Sequence, residues 1–370
     1  MGGRADDRHW MAQALALAAR GAGHTAPNPM VGCLVVAGRA VVGRGFHRAT
    51  GCPHAEAVAL EEAGPAARGA TLYVNLEPCA HQGRTPPCTE GVLRSGVARV
   101  VAAVQDPDPR VDGRGFERLR AAGVEVASGV LEAEARRLNA PFFHWHAHGT
   151  PLVTLKAAIS ADGRLAAAAG AARWVSGPES RRFAHHLRRV HGAVLVGAGT
   201  VRRDDPSLAV RLPGVSVLRP RVVVSSDLSL DPEAKVFSGG APTWVYTSGE
   251  PDPERCSRLQ KVAEVIRVPG SAGGVDLTAV LADLGRRGVQ AVLAEGGGRL
   301  HASLVTSGLV RRVALFRACS FIGARDATPL LDMEAVASPG AAPRFRVRRT
   351  LRLGGDLCDW GDMAGPEGSR

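Results

Sequence analysis

The sequence predicts an α/β protein built as two domains, and three observations carry that reading. The chain has 370 residues, more than one ordinary core holds and enough for two. Short apolar runs alternate with segments of helical periodicity along most of its length, the pattern of sheets covered by helices. That alternation lapses once, between Asn139 and Pro151, where His, Gly and Pro accumulate. Domains are therefore expected at 1–148 and 149–370.

The elements follow in order. Trp10, Met11, Ala14, Leu15 and Ala18 lie at helical spacing within Asp7 to Arg20, and Gly21 follows as a C-cap. Met30 to Val36 and Ala40 to Val42 read as strands paired around Gly38-Arg39. A helix is expected from His54 to Ala63, a strand from Thr71 to Leu76 and a short helix from Thr89 to Ser95. Arg99 to Val104 is almost continuously apolar, which suits a strand covered on both faces. Phe116 to Ala122, Val124 to Val126 and Leu131 to Leu138 continue the alternation as helix, strand and helix.

A second series begins with a strand from Leu152 to Leu155, which leaves Lys156 at its end. Further strands are expected at Gly192 to Val196, Arg221 to Val224, Thr243 to Tyr246, Val289 to Ala294 and Arg312 to Phe316. Ser338 to Arg348 reads as an irregular or edge segment, and the tail from Gly365 as frayed. His144-Trp145-His146-Ala147-His148 falls in the break and reads as a solvated or interdomain strand.

The formal charge is +11. It can reflect attraction to phosphate or simply a preference for arginine, since the only lysines are Lys156, Lys235 and Lys261. The arginines are scattered, without a long run or interleaved aromatics, which argues against a nucleic-acid-binding surface. Seven cysteines, an odd number, do not form a disulfide framework. No secretory leader and no run of about 18 apolar residues is present. The expectation is a cytoplasmic protein that uses neither membrane nor nucleic acid.

Chemistry concentrates in His54-Ala55-Glu56, Pro78-Cys79 and Cys88. One imidazole and two thiolates make a tetrahedral zinc set with the fourth position left to water, whose pKa zinc lowers to roughly 7. Glu56, two residues from the histidine, can then carry a proton from water to a leaving amine. Nucleobase deaminases use an H-x-E…P-C-x-x-C arrangement; here the two cysteines stand farther apart. His54 and Cys88 both fall at expected helix starts, where the dipole favours a thiolate. The plainer alternatives are structural cysteines with a capping histidine, or a closed structural zinc site completed by Cys52.

Around these residues stand Pro27-Asn28-Pro29-Met30-Val31-Gly32-Cys33, Gly45-Phe46-His47, Leu76-Glu77-Pro78-Cys79 and His81-Gln82-Gly83-Arg84-Thr85-Pro86-Pro87-Cys88. Together they resemble the deaminase domain of the bifunctional deaminase/reductases of riboflavin biosynthesis. In the second half, Leu155 to Arg164, Arg173-Trp174-Val175-Ser176, Gly197 to Leu208 and Ala294-Glu295-Gly296-Gly297-Gly298 resemble the reductase domain of the same family. The resemblance implies a cytidine-deaminase-like three-layer fold followed by a dihydrofolate-reductase-like α/β fold.

It further implies Zn2+ on His54, Cys79 and Cys88, with Glu56 as proton shuttle. Substrate contacts would come from Asn28, His47, Arg84, Asp106 and Asp108, and His47 and Arg84 could meet a phosphate. The family usually has Asn where this chain has Asp108. In the reductase half Lys156 would be catalytic, and Arg188, Leu208, Arg211 and Glu295 would lie on the substrate side. Ile159, Trp174, Thr200, Asp204, Ser226, Gly297 and Gly298 would lie on the NADPH side. Relatives usually carry Ser where this chain has Ala172. The implied substrate is a small pyrimidine nucleotide, and a homo-oligomer is expected. The sequence leaves two other functions open: a nucleic-acid base deaminase with a C-terminal binding domain, or a deaminase with a degenerate, oligomerising reductase half.

Overall fold

In the computed structural model, which describes residues 3–82, 86–167, 175–271, 274–323 and 326–364, the chain separates into two units, Met1–Gly149 and Thr150–Arg370. Arg84, Ala172, Arg173, Trp174 and the tail from Gly365 lie outside the described residues.

The first unit runs α1 (Gly3–Ala18), β1 (Gly32–Ala37), β2 (Ala40–Phe46), α2 (Ala55–Ala63), β3 (Thr71–Val74), α3 (Cys88–Ser95), β4 (Arg99–Ala102), α4 (Arg114–Ala121), β5 (Glu125–Ala127), α5 (Glu132–Leu138) and α6 (Ala140–His148). Its sheet has the order β2-β1-β3-β4-β5. β1 is antiparallel to both β2 and β3, and β3, β4 and β5 are parallel. Side chains alternate between faces, as extended backbone requires. Cys33, Val35, Leu72, Val74 and Val100 pack with Ala55 and Ala59 of α2, Val92 of α3 and Phe116 of α4. Leu34, Val36, Tyr73 and Val101 pack with Met11 and Ala14 of α1, Ala135 of α5 and Phe142 of α6. The result is three layers. α2 lies against glycines of β2: a Cβ at Gly45 would fall 2.1 Å from the Ala55 carbonyl oxygen. This close approach fixes the N-terminal end of α2, from which His54 and Glu56 project.

The break expected between the domains is helical rather than extended. Pro141 in its first turn suits helix initiation, and Gly149 takes the left-handed conformation that closes a helix. The ring of His146 lies 4.5 Å from that of Phe142, one helical turn away. Periodicity failed there because histidine counts as polar while its ring packs as an aromatic.

The second unit runs β6 (Leu152–Ile159), β7 (Arg164–Ala166), α7 (Pro178–Val190), β8 (Ala193–Gly197), α8 (Ala198–Asp204), β9 (Arg221–Val224), β10 (Thr243–Thr247), α9 (Pro253–Leu259), β11 (Glu264–Arg267), β12 (Gly270–Ser271), β13 (Gly274–Val275), α10 (Leu277–Arg286), β14 (Ala291–Ala294), α11 (Gly298–Thr306), β15 (Val310–Arg317), β16 (Thr328–Pro329), β17 (Phe345–Leu353) and β18 (Asp356–Met363). A nine-stranded sheet has the order β11-β10-β9-β8-β14-β6-β15-β18-β17. Its strands from β11 to β15 are parallel, and β18 and β17 add antiparallel pairs at one end. The expected irregular or edge segment includes the start of β17, the outer strand. β6 runs on to Ile159, so Lys156 sits inside a strand rather than at its end. Val153, Leu155, Ala157 and Ile159 join the core beneath α10 and α11, and the alternation turns Lys156 to the opposite face.

Candidate active sites

Backbone geometry brings the first constellation together. His54 is the N-cap of α2 and Cys88 the first residue of α3, while Cys79 follows the β3 strand. His54 Nδ1 lies 3.1 Å from Cys88 Sγ and 3.7 Å from Cys79 Sγ, and the three ligand atoms all lie within 4.8 Å of one another. Zinc bonded at about 2.0 Å to nitrogen and about 2.3 Å to sulfur, with tetrahedral angles, requires N···S separations of roughly 3.5 Å. The observed pair brackets that value, and the donor set is the soft nitrogen–sulfur set zinc prefers. Among the described residues this is the one such group, and Cys52 does not join it.

The electrostatics suit a cation. Hydrogen bonding from Cys88 and then from His54 draws the Cys79 thiol far below its ordinary range, while the bond to Cys79 and burial push Cys88 up. Glu56 is buried beside them, and burial raises its carboxyl above the usual carboxylate range. A carboxyl so placed exchanges a proton more readily than a solvated one.

Asn28 and His47 are joined: Asn28 Nδ2 stands 3.2 Å from His47 Nε2. The other ring nitrogen, Nδ1, is 3.2 Å from the Pro53 carbonyl oxygen, which assigns the neutral tautomer with Nδ1–H donating. Burial also pulls the His47 pKa down. A neutral ring with both nitrogens engaged orients Asn28 better than it attracts the phosphate expected of it. Asp106 is buried, which lifts its carboxyl to about 7. Asp108 is held at about 2 by the Arg110 guanidinium, whose Nε lies 3.0 Å away. The charge that distinguishes Asp108 from an asparagine is therefore largely spent on Arg110.

Two buried amides hold the Asn28 segment, and sequence reasoning missed both. Met30 N–H donates to Asn139 Oδ1 at 2.8 Å, and Asn139 Nδ2 returns a bond to the Met30 carbonyl at 2.9 Å. Gly32 N–H donates to Asn75 Oδ1 at 2.7 Å, and Asn75 Nδ2 donates to the same Met30 carbonyl at 3.0 Å. The available signal was weak: one asparagine interrupts the apolar run from Thr71 to Leu76, and the other stands two residues before Pro141.

The second constellation gathers at the carboxyl ends of adjacent parallel strands, where open α/β sheets bind ligands. Glu295 follows β14. Arg188 of α7 grips it with Nε at 2.7 Å and a second nitrogen at 2.9 Å, and donates a third bond to the Ala209 carbonyl at 3.1 Å. Lys156 Nζ stands farther off, 3.8 Å from Glu295 and 5.6 Å from the Phe316 ring centroid. Burial alone would raise the Glu295 carboxyl, but the charges of Arg188 and then Lys156 overcome it and hold it at about 2. Burial depresses the Lys156 pKa in spite of Glu295. The two directions agree once distance is considered, because Glu295 gives its close bonds to Arg188 and leaves Lys156 undercompensated.

The remaining expected residues take up places around this triangle. Arg211 N–H donates to His185 Nδ1 at 3.2 Å, and Leu208 is buried with φ +53. Thr200 lies in the first turn of α8, and Asp204 ends that helix. Gly297 caps α11, and a Cβ on it would meet only Thr200 Oγ1, at 3.7 Å. Gly298 faces the other way: its Cβ would fall 2.7 Å from the Pro329 carbonyl oxygen, so packing explains that glycine. Ile159 ends β6, and Ser226 follows β9 by two residues. Gly296 N–H donates to buried His301 Nε2 at 3.2 Å, which steadies the glycine turn. Thr200, Gly297, Ile159 and Ser226 thus border the carboxyl ends of four adjacent strands, a setting that fits a dinucleotide.

The family profile for the cytidine and deoxycytidylate deaminase zinc-binding region matches residues 4–104, and that for the RibD C-terminal domain matches residues 151–358. The riboflavin biosynthesis protein RibD of Bacillus amyloliquefaciens is 39% identical over 352 residues, covering 95% of each chain. The solved structure of Acinetobacter baumannii RibD, form 1, superposes with a TM-score of 0.89 at 33% identity, covering 98% of this chain and 100% of that one. A diaminohydroxyphosphoribosylaminopyrimidine deaminase/5-amino-6-(5-phosphoribosylamino)uracil reductase from Thermotoga maritima gives a TM-score of 0.85 at 31% identity, covering 97% of this chain and 99% of that one. With both halves matched in order across nearly the whole length, the chain belongs to the RibD family of riboflavin biosynthesis, a zinc-dependent deaminase and an NADPH-dependent reductase in one polypeptide.

Proposed function

We propose that the chain carries out two consecutive steps on one pyrimidine nucleotide, deamination within residues 1–148 and reduction within 149–370. The substrate is 2,5-diamino-6-ribosylamino-4(3H)-pyrimidinone 5′-phosphate. The observation that carries the reading is the His54, Cys79 and Cys88 group with Glu56 buried beside it.

In the first step water replaces the ring amine, and ammonia leaves. Zinc held by His54, Cys79 and Cys88 supplies Lewis acidity that makes water acidic enough to ionise near neutral pH. Glu56 accepts a proton at its carboxylate and returns it to the departing amine, so the carboxyl ends the cycle unchanged. Asn28, oriented by His47, hydrogen-bonds the pyrimidine edge. Asp106, Asp108 and Arg84 complete the substrate contacts.

In the second step a ribosylamino group becomes a ribitylamino group. NADPH bound beside these strands would supply the hydride that C1′ of the opened sugar requires, with the accompanying proton drawn from solvent. Lys156 faces the charge that develops there, and the Arg188–Glu295 pair holds the floor on which it stands. Leu208 and Arg211 are assigned to the substrate side, and Ile159, Trp174, Thr200, Asp204, Ser226 and Gly297 to the NADPH side. The protein contributes orientation and a fixed electrostatic setting.

The chain acts as a cytoplasmic homo-oligomer, which light scattering after size exclusion tests. No helix among the described residues is long and apolar enough to cross a membrane. For the activity, ammonia release is measured with the pyrimidine nucleotide and with single-stranded RNA. Release from the nucleotide alone supports the reading, and release from RNA alone contradicts it. NADPH oxidation that starts only with the deaminated product supports an active reductase half, and none at any concentration contradicts it.

A further inference from the structure

Glu77 is a buried carboxylate, 3% exposed, and among the described residues no cationic side chain forms an ion pair with it. Its partners are four backbone N–H groups. Asp106 and Gly113 donate to Oε2 at 3.2 and 3.0 Å, and Gly115 and Phe116 donate to Oε1 at 2.8 and 3.3 Å. Three of these donors open α4, whose N-terminal N–H groups have no partners within the helix and carry the positive end of its dipole. The carboxylate caps that helix from a distant part of the chain, and charge-assisted bonds of this kind are stronger and more directional than neutral ones.

The same side chain joins two parts of the deaminase site. Along the chain it is followed by Pro78 and Cys79. α4 presses directly on that connection, since a Cβ at Gly115 would fall 2.1 Å from the Pro78 carbonyl oxygen. Through space it fixes the backbone of Asp106, whose Oδ1 in turn accepts the Asp108 N–H at 2.8 Å. The sulfur ligand and the substrate loop therefore share one anchor.

We propose that Glu77 is a positioning residue for deamination, holding the Asp106–Asp108 loop in register with Cys79. The proposal rests on the deaminase reading of this site. Its test uses the full chain and the variants Glu77→Gln and Glu77→Asp. Glutamine keeps the shape but sets one acceptor oxygen and an NH2 group against four donors, whereas aspartate keeps the charge on a shorter arm. The measurements are KM and kcat for ammonia release, the absorption spectrum with cobalt(II) in place of zinc, and the rate of reduction of the deaminated substrate.

Expected for Glu77→Gln are a KM raised at least tenfold, an altered cobalt(II) spectrum and an unchanged reduction rate, with Glu77→Asp recovering part of the loss. If Glu77→Gln does not fold, an intermediate KM and spectrum for Glu77→Asp support the proposal, and wild-type values for both overturn it. Unchanged KM and spectrum in a folded Glu77→Gln overturn it too, as does a fall in kcat that matches the unfolded fraction while KM stays at the wild-type value. Should the wild-type chain release no ammonia, the deaminase reading itself fails. The cobalt spectrum then decides the role of Glu77: an altered spectrum supports the anchoring of Cys79, and an unaltered one overturns it.

Discussion

In the first unit the chemical groups lie close in sequence: His54 meets Cys88 across 34 residues. In the second, Arg188 and Glu295 meet across 107 residues, and Lys156 comes from a different strand again. Both groups are at least half-buried, but they are held differently. Zinc ligands are chosen by element, since few side chains offer nitrogen or sulfur donors, and two sit at helix starts that local sequence announces. The charge triangle is chosen by topology, because the sheet order sets β14 beside β6 and α7 over their shared face. One site is legible as a motif; the other is assembled by the fold.

Substitutions sharpen this contrast. The largest expected effect is on chemistry in the first unit. Glu56→Gln should lower deamination by on the order of 10³- to 10⁴-fold, about 4–5 kcal/mol of barrier, and leave zinc bound. Ammonia release with metal analysis checks both halves, and loss of zinc together with activity would make Glu56 a ligand instead.

Next comes stability in the second unit. Glu295→Ala leaves Arg188 and Lys156 buried without their carboxylate, and loss of one member of such a group costs about 3 kcal/mol or more. Chemical unfolding of the full chain should show the transition of residues 150–370 moved to lower denaturant. An unmoved transition would mean that the triangle is solvated.

The same carboxyl makes the second unit sensitive to acid. It titrates at about 2 when folded, against an ordinary 4.5. A depressed folded value means that the unfolded chain binds the proton more readily, so stability rises with pH across this window. The contribution, roughly 3 kcal/mol, is complete above pH 4.5 and disappears as pH falls towards 2. Unfolding of Glu295→Gln should lack this dependence. Smaller again is Gly298→Ala, where a methyl group meets the Pro329 carbonyl oxygen at 2.7 Å. Overpacking of this kind costs about 1–3 kcal/mol, read as a lower Tm.

The contrast between the units also explains what could be read from the chain. Alternation of apolar runs predicted both sheets, and the spacing of His54, Cys79 and Cys88 predicted their meeting, because each signal is local. The helix at Ala140–His148 was not legible, since its apolar face is built partly from His146 packed on Phe142. The interior position of Lys156 was also hidden. A lysine is seldom buried without a partner, and only β15 and β18, with Phe316 and Cys358 on that face, explain why this strand continues. Asn75, Glu77 and Asn139 escaped because their partners are backbone groups, which leave little pattern in side-chain sequence.

The most direct measurement is zinc content per chain in the purified wild type and in Cys79→Ser, Cys88→Ser and Cys52→Ser. About one zinc is expected in the wild type and in Cys52→Ser, with marked loss in the other two. Retention of zinc by Cys79→Ser and Cys88→Ser, or its loss from Cys52→Ser, would contradict a metal centre built on His54, Cys79 and Cys88.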